Sequence, residues 1–235
     1  MSALRLVEDR LFVSEVFASV QGEGMLTGVP SVFVRTSACN LRCRWCDTPE
    51  TSWSPEGVVR TVADVLAEVL AHDTIRHVVL TGGEPLLGKG MPALARALHA
   101  EGRHLTVETA GTLVRDLPVD LWSLSPKLSG SVPDDPRWGP RHDRMRLRPD
   151  VLRHYVATGR YQLKLVVGHP NELPEVDALV AEVGAAPERV LLMPEGLTAG
   201  RLDEVAEWLV PAAMARGARF CDRLHIRLFG HTRGT

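Results

Sequence analysis

Short apolar, β-rich runs recur along the chain at positions 11–17, 32–35, 77–80, 104–107, 121–124, 161–167, 189–193 and 224–228, and each predicts a strand. Helical periodicity fills several of the gaps. Val62, Val65, Leu66, Val69 and Leu70 fall on one helix face after Thr61, whose spacing to Asp64 matches a capping box. Met91, Leu94 and Leu98 repeat the pattern, and Gly102 offers a C-terminal stop. Further helices are predicted over 149–157, 174–183 and 201–216, with Pro211 expected to kink the last.

Strands alternating with helices imply βαβ units, a mostly parallel sheet and right-handed crossovers. A closed (β/α)8 barrel takes about 250 residues. With 235 residues and few helical patterns, the α/β chain fits an open or incomplete (β/α) barrel, with its ligands at the C-terminal ends of the strands. Periodicity fails between Pro126 and Pro149, a stretch rich in Pro, Gly and Arg that reads as a surface excursion, a lid or a partner-docking loop. No repeat or boundary divides the rest, so residues 1–235 are expected to form a single domain.

Composition narrows the class. Hydrophobic residues at 45% and charged residues at 24% exclude a disordered or coiled-coil chain. The net charge of −2 supplies no global basic field, so nucleic acid is not an expected partner. No apolar run reaches the length of a signal core or a membrane span, and a cytoplasmic protein without membrane contact is expected.

The four cysteines change the picture most. Cys39, Cys43 and Cys46 crowd one loop directly after the run 32–35, while Cys221 stands apart and reads as a small core residue. That is not a disulfide framework, and it directs attention to metal or redox chemistry. A zinc site would need a fourth ligand, from Asp47 or Cys221, since no second Cys-x2-Cys half exists. A cubane iron-sulfur cluster held by three thiolates instead leaves one iron open.

The Cys39-x3-Cys43-x2-Cys46 spacing resembles that of the radical S-adenosylmethionine (SAM) superfamily, and Thr81-Gly82-Gly83-Glu84-Pro85 resembles its GGE segment. This resemblance implies a 4Fe–4S cluster on the three cysteines, its open iron chelating SAM for reductive cleavage to a 5′-deoxyadenosyl radical. The segments Gln21-Gly22-Glu23-Gly24, Arg35, Cys46-Asp47-Thr48, Glu108-Thr109-Ala110-Gly111-Thr112 and Ser125-Pro126-Lys127 together resemble the 7-carboxy-7-deazaguanine synthase family, nearly end to end. The resemblance implies a carbon–nitrogen lyase that converts 6-carboxy-5,6,7,8-tetrahydropterin to 7-carboxy-7-deazaguanine and ammonia, on the route to queuosine and other 7-deazapurines. It further implies a homodimer, Mg2+ as a second metal, and a flavodoxin-like or ferredoxin-like reductant. A glycyl-radical activating enzyme shares the cysteine loop, but the chain has no additional ferredoxin-like cysteine cluster.

Carried over residue by residue, the resemblance places Val20, Gln21, Gly22, Arg35, Thr81 and Thr235 at the substrate and Thr48 at Mg2+. Around SAM it places Trp45, Cys46, Asp47, Gly83, Glu84, Ser125, Pro126, Lys127, Met193, Pro194, Glu195 and Gly196. No side chain is expected to be catalytic beyond the cluster and cofactor. The chemistry is compatible residue by residue. Arg35 can pair a carboxylate bidentately, Gln21 can donate and accept along a pterin edge, and Mg2+ takes a hydroxyl beside substrate oxygens and waters. Ala110 departs from the asparagine common in the family, and the excursion 133–149 lies outside the shared pattern. Its arginines at 137, 141, 144, 146 and 148 are candidates to dock an acidic donor.

Overall fold

Alternation along the strands sorts the chain into a helix-covered face and an open face, and a computed structural model describes this arrangement for residues 9–235. The strands are β1 (Arg10–Val20), β2 (Pro30–Thr36), β3 (Val58–Thr61), β4 (His77–Gly82), β5 (His104–Thr109), β6 (Leu121–Leu124), β7 (Tyr161–Val167), β8 (Val190–Pro194) and β9 (Arg219–Phe220). They form one sheet in the order β3-β1-β2-β4-β5-β6-β7-β8-β9. From β2 through β9 every neighbouring pair is parallel, and only β1 runs against its neighbours β2 and β3. The edge strands β3 and β9 do not meet, so the sheet is an incomplete barrel, as expected.

The helices are α1 (Pro49–Ser52), α2 (Val62–Leu70), α3 (Met91–Ala100), α4 (Gly139–Met145), α5 (Pro149–Val156), α6 (Leu173–Val183), α7 (Ala199–Ala215) and α8 (Leu224–Phe229). Val32, Val34, Val78, Leu80, Leu105, Val107, Leu124, Leu163 and Leu165 turn from the sheet toward the helices, meeting Val65, Val69, Leu94, Leu98, Leu152 and Leu179 in one core. The residues between them, Arg35, Thr81, Glu108 and Lys164 among them, line the opposite face. Register carries this across strands: Arg35 sits beside Thr81, and Val79 beside Thr106, which sets Thr81 next to Glu108.

Thr61 caps α2 as predicted, accepting from the Asp64 N–H at 3.1 Å. Helix α7 runs through Pro211, which is exposed, as is Glu207 four residues earlier, whose carbonyl loses the hydrogen bond to that missing N–H. The strand predicted at 224–228 is instead helix α8. Its alternation of apolar and polar residues fits period two, but β9 already ends the sheet, and only Ile226 of this segment is buried. Strands β3 and β9 were not anticipated, being four and two residues long with exposed or half-buried side chains. Within the excursion, α4 forms because its His142 has a core position to fill, with 0% exposure. Among the described residues no helix is long and apolar enough to cross a membrane.

Candidate active site

The loop after β2 begins with Ala38 at φ +82, a left-handed conformation that a non-glycine residue adopts only where its surroundings impose it. The constraint comes from the end of β4. Gly83 N–H donates to Thr36 O and Glu84 N–H to Ala38 O, each at 3.0 Å. A Cβ on Gly82 would run into the Thr36 backbone, and one on Gly83 into the carbonyls of Ala38 and Thr51. The two glycines therefore let β4 press against the turn that aims Cys39.

Cys39, Cys43 and Cys46 are free thiols on the wall of a cavity of about 480 Å3 at the C-terminal ends of the strands. Burial pushes the Cys39 thiol up to about 11 and the Cys43 thiol up to about 12. Such thiols give up their protons only to a strongly positive centre, which is what an iron cluster offers and what links metal loading to proton release. Backbone and hydroxyl groups already face the sulfurs: Leu41 N–H donates to Cys39 Sγ at 3.4 Å, and Ser52 Oγ lies 3.1 Å from Cys46 Sγ. The donor set fits an iron-sulfur cluster. Among the described residues no three His, Cys, Asp or Glu side chains gather around a single-ion position. Cys221 is elsewhere, its buried sulfur accepting the Gly24 N–H at 3.0 Å, so it supports the Gly22–Gly24 turn rather than joining the loop thiols.

From behind, the cysteine loop is braced by the excursion. The Arg42 N–H donates to His142 Nδ1 at 3.0 Å, and Arg44 N–H to Ser131 O at 2.8 Å. With Nδ1 accepting, Nε2 carries the proton and donates to Ser131 Oγ at 2.9 Å, which in turn donates to Leu128 O at 2.6 Å. Burial, aided by Arg146 and Lys127, holds His142 down to about 4, in keeping with a neutral ring.

The wall facing the thiols is a ladder of charges. Arg223 Nε donates to Glu23 at 2.9 Å, its Nη1 to Gly196 O at 2.7 Å, and its Nη2 to Asp47. Lys164 pairs with Glu23 and, at 3.4 Å, with Glu108, which accepts from Thr81 Oγ1 at 2.8 Å. Burial opposes each charge, yet Lys164 and Arg223 outweigh it at Glu23 and hold that carboxyl far below the carboxylate range. Glu108 and Glu23 likewise keep Lys164 above its ordinary value, as Glu23 and Asp47 do for Arg223. His225 sits 3.9 Å from Glu23, and burial lowers its pKa.

Most of the residues singled out in the sequence meet on this cavity: Val20, Gln21, Gly22, Arg35, Trp45, Asp47, Thr48, Thr81, Gly83, Ser125, Lys127, Met193 and Thr235, with the three cysteines. Arg35 gives its Nε to Glu15 at 2.7 Å and lies over Phe17, while its two terminal nitrogens make no hydrogen bond among the described residues. Gln21 Nε2 donates to Ser31 Oγ at 3.0 Å. Lys127 Nζ reaches Ser125 Oγ at 2.9 Å and lies 5.6 Å from the Trp45 ring centre. Thr48 Oγ1 accepts from Thr51 Oγ1 at 3.2 Å and makes no capping bond to α1. The tail returns to the same wall through Arg233, which donates to Ser14 Oγ at 2.9 Å.

Five of the expected residues lie behind the wall. Glu84 is 1% exposed, and its carboxylate accepts from Thr109 Oγ1 and from the N–H groups of Ala110 and Leu86, so it ties β4 to β5 instead of facing a ligand. Pro126 is buried, Pro194 completes β8, Glu195 turns to Arg201 at 3.5 Å, and Gly196 offers its carbonyl to Arg223. Lys164, Arg223 and His225 were not singled out. Lys164 left a legible signal, the one charge inside the mostly apolar strand β7, whereas Arg223 left none.

Residues 33–127 match the Radical SAM superfamily. The chain is 47% identical over 235 residues to the 7-carboxy-7-deazaguanine synthase of Rhodopirellula baltica, covering 98% of this chain and 91% of that protein. Against the enzyme of the same name from Halobacterium salinarum it is 46% identical over 230 residues, covering 92% and 90%. The crystal structure of QueE from Escherichia coli superposes with a TM-score of 0.70 at 26% identity, over 95% of this chain and 99% of the other.

Proposed function

Since the chain belongs to the 7-carboxy-7-deazaguanine synthase family, we propose that it is a radical SAM lyase that takes 6-carboxy-5,6,7,8-tetrahydropterin to 7-carboxy-7-deazaguanine and ammonia in the strand-end cavity. The observation that carries this is the pairing of opposite walls: three thiols on one side, and on the other a charged, hydrogen-bonding surface shaped by Gln21, Arg35, Thr81 and the Glu23 ladder. When bound, the cluster and SAM supply a carbon-centred radical for hydrogen abstraction from the pterin.

The chain's own residues position the substrate. Cys39, Cys43 and Cys46 hold the cluster. Arg35, with Nε anchored on Glu15, presents its two terminal nitrogens to the substrate carboxylate. Val20 and Gly22 offer backbone groups and Gln21 its amide to the pterin edge, with Thr81 and the tail residue Thr235 completing the enclosure. Ser125, Lys127, Trp45, Asp47, Gly83 and Met193 surround SAM. Thr48 supplies one oxygen to Mg2+, whose remaining ligands are substrate oxygens and waters. The chain works as one domain, since the nine described strands join a single sheet whose ends, with the loops that follow them, surround the cavity. The enzyme acts as a homodimer, and edge strand β3, with Val58 and Val59 exposed one on each side of it, offers an apolar edge for it.

Anaerobic reconstitution with iron and sulfide, followed by SAM, dithionite, Mg2+ and 6-carboxytetrahydropterin, tests the reading by mass detection of the product. Formation of 7-carboxy-7-deazaguanine is expected. A brown, SAM-cleaving protein that leaves the pterin intact would point to another radical substrate, and one without charge-transfer absorbance would remove the cluster reading.

A further inference from the structure

Ten arginines of this chain, Arg35, Arg60, Arg146, Arg148, Arg153, Arg201, Arg216, Arg223, Arg227 and Arg233, pair with carboxylates. A group of arginines gathered on one aromatic ring beside the cysteine loop does not. The Trp138 ring has Arg42 at 4.3 Å, Arg141 at 5.0 Å and Arg137 at 5.5 Å from its centre, and none of the three pairs with a carboxylate among the described residues. Arg44, exposed between Cys43 and Trp45, also lacks one among the described residues.

The cluster of like charges is built rather than accidental. Asp135 Oδ1 accepts the N–H groups of Arg137 and Trp138 at 2.9 and 2.6 Å, which fixes the indole. Arg42 spans the gap to the loop: its Nη1 donates to the carbonyls of Cys39 and Leu41, both at 2.7 Å, while its guanidinium faces the ring. His142 and Ser131 lock the same excursion to the backbone of the loop. None of these arginines lines the cavity, so they are not required by the substrate. They form a rigid cationic face one side chain away from a cysteine of the cluster loop.

We propose that the face formed by Arg42, Arg44, Arg137 and Arg141 around Trp138 is the docking surface for an acidic electron-donor protein. The proposal rests on the radical SAM reading, which requires one electron from outside: the reduced donor loses it and the cluster gains it. Charge complementarity selects the occupant, since uncompensated exposed cations steer an acidic partner and gain most when its carboxylates supply the missing counterions. Of the five arginines of the excursion the face takes two, for Arg146 is committed to Asp143 and Glu175, Arg148 to Asp150, and of the rest only Arg137 and Arg141 lie over the Trp138 ring.

The test uses reconstituted holoenzyme, wild type and Arg137→Glu/Arg141→Glu, titrated calorimetrically with a flavodoxin, the acidic flavin-carrying donor, at low and high salt. Affinity is expected to weaken roughly tenfold or more in the variant and in wild type at high salt. Flavodoxin-supported SAM cleavage should fall in parallel, and dithionite-supported cleavage should stay within about twofold, since a small reductant needs no docking face. The neutral Arg137→Gln/Arg141→Gln pair gives an intermediate loss if the reversal perturbs folding. Equal affinity in wild type and both variants, or affinity indifferent to salt, overturns the proposal. Failure of wild type to cleave SAM with dithionite overturns the enzymatic reading instead, and the binding titration still decides the docking face.

Discussion

The two walls of the cavity are built in opposite ways. The thiol wall comes from eight consecutive residues, Cys39 to Cys46, held in shape by the Ala38 turn, the glycines of β4 and the His142 brace. The charged wall brings Glu23, Glu108, Lys164 and Arg223 from four distant segments together with Asp47, the residue that follows Cys46. A local motif can keep Cys39 and Cys43 neutral until a metal arrives, because burial raises both thiols. The ladder is charged from the outset, so each of its members is stable only while its partners are present. One wall is completed by a cofactor and the other by the fold.

Breaking the thiol wall gives the largest effect. Cys43→Ala is expected to lose bound iron and all product formation while leaving the unfolding midpoint of the apo-protein little changed, since Ala keeps the site apolar; iron and sulfide analysis beside thermal unfolding checks both. The opposite profile is expected across the cavity. Arg223→Met removes one of the two cations paired with the buried carboxylate of Glu23, and the partner of Asp47, and should cost on the order of 3 kcal/mol of stability, measured by denaturant unfolding. Adding Glu23→Gln to Arg223→Met should recover part of that loss, whereas strict additivity of the two would count against the ladder.

Gly83→Ala addresses the junction between the walls. A methyl there meets two backbone carbonyls, so a loss of about 1–3 kcal/mol is expected together with incomplete cluster loading, read by iron content per chain. The smallest effect belongs to His142→Gln, about 1 kcal/mol, because the amide can replace only part of the hydrogen-bond chain. Its signature is in pH. The folded-state value, held down to about 4, lies below the ordinary 6.5, so the unfolded chain takes up a proton first as pH falls. Stability from the neutral ring is therefore fully present above about 6.5 and declines as pH drops toward about 4. Unfolding free energies from pH 7 to 4.5 should lose part of that slope in the variant, and parallel curves would show that His142 does not titrate as described.

Much of the fold was legible in the strand periodicity and caps. Positions 121–124 and 161–167 coincide with β6 and β7, and Thr61 caps α2. The misreading of 224–228 shows the limit, because Leu-His-Ile-Arg-Leu alternates like a strand and only the filled sheet edge at β9 makes it a helix. Glu84 shows the same limit in the site. It sits in the right motif, but whether a carboxylate faces a ligand or ties two strands depends on which backbone N–H groups the fold turns toward it.

The linear order of residues by itself determined the three-thiol loop, the glycine turn that follows β4 and the alternation that gives each strand an apolar and a polar side, because these depend on spacings of a few residues. Tertiary structure alone decided that Arg223 would stand between Asp47 and Glu23, that His142 would reach back under Arg42, and that three arginines would share Trp138 without a carboxylate. The physical reason is range: backbone geometry and side-chain periodicity act over a turn or a strand, whereas the charge state of a buried group is set by whichever partners the completed sheet brings within a few ångströms.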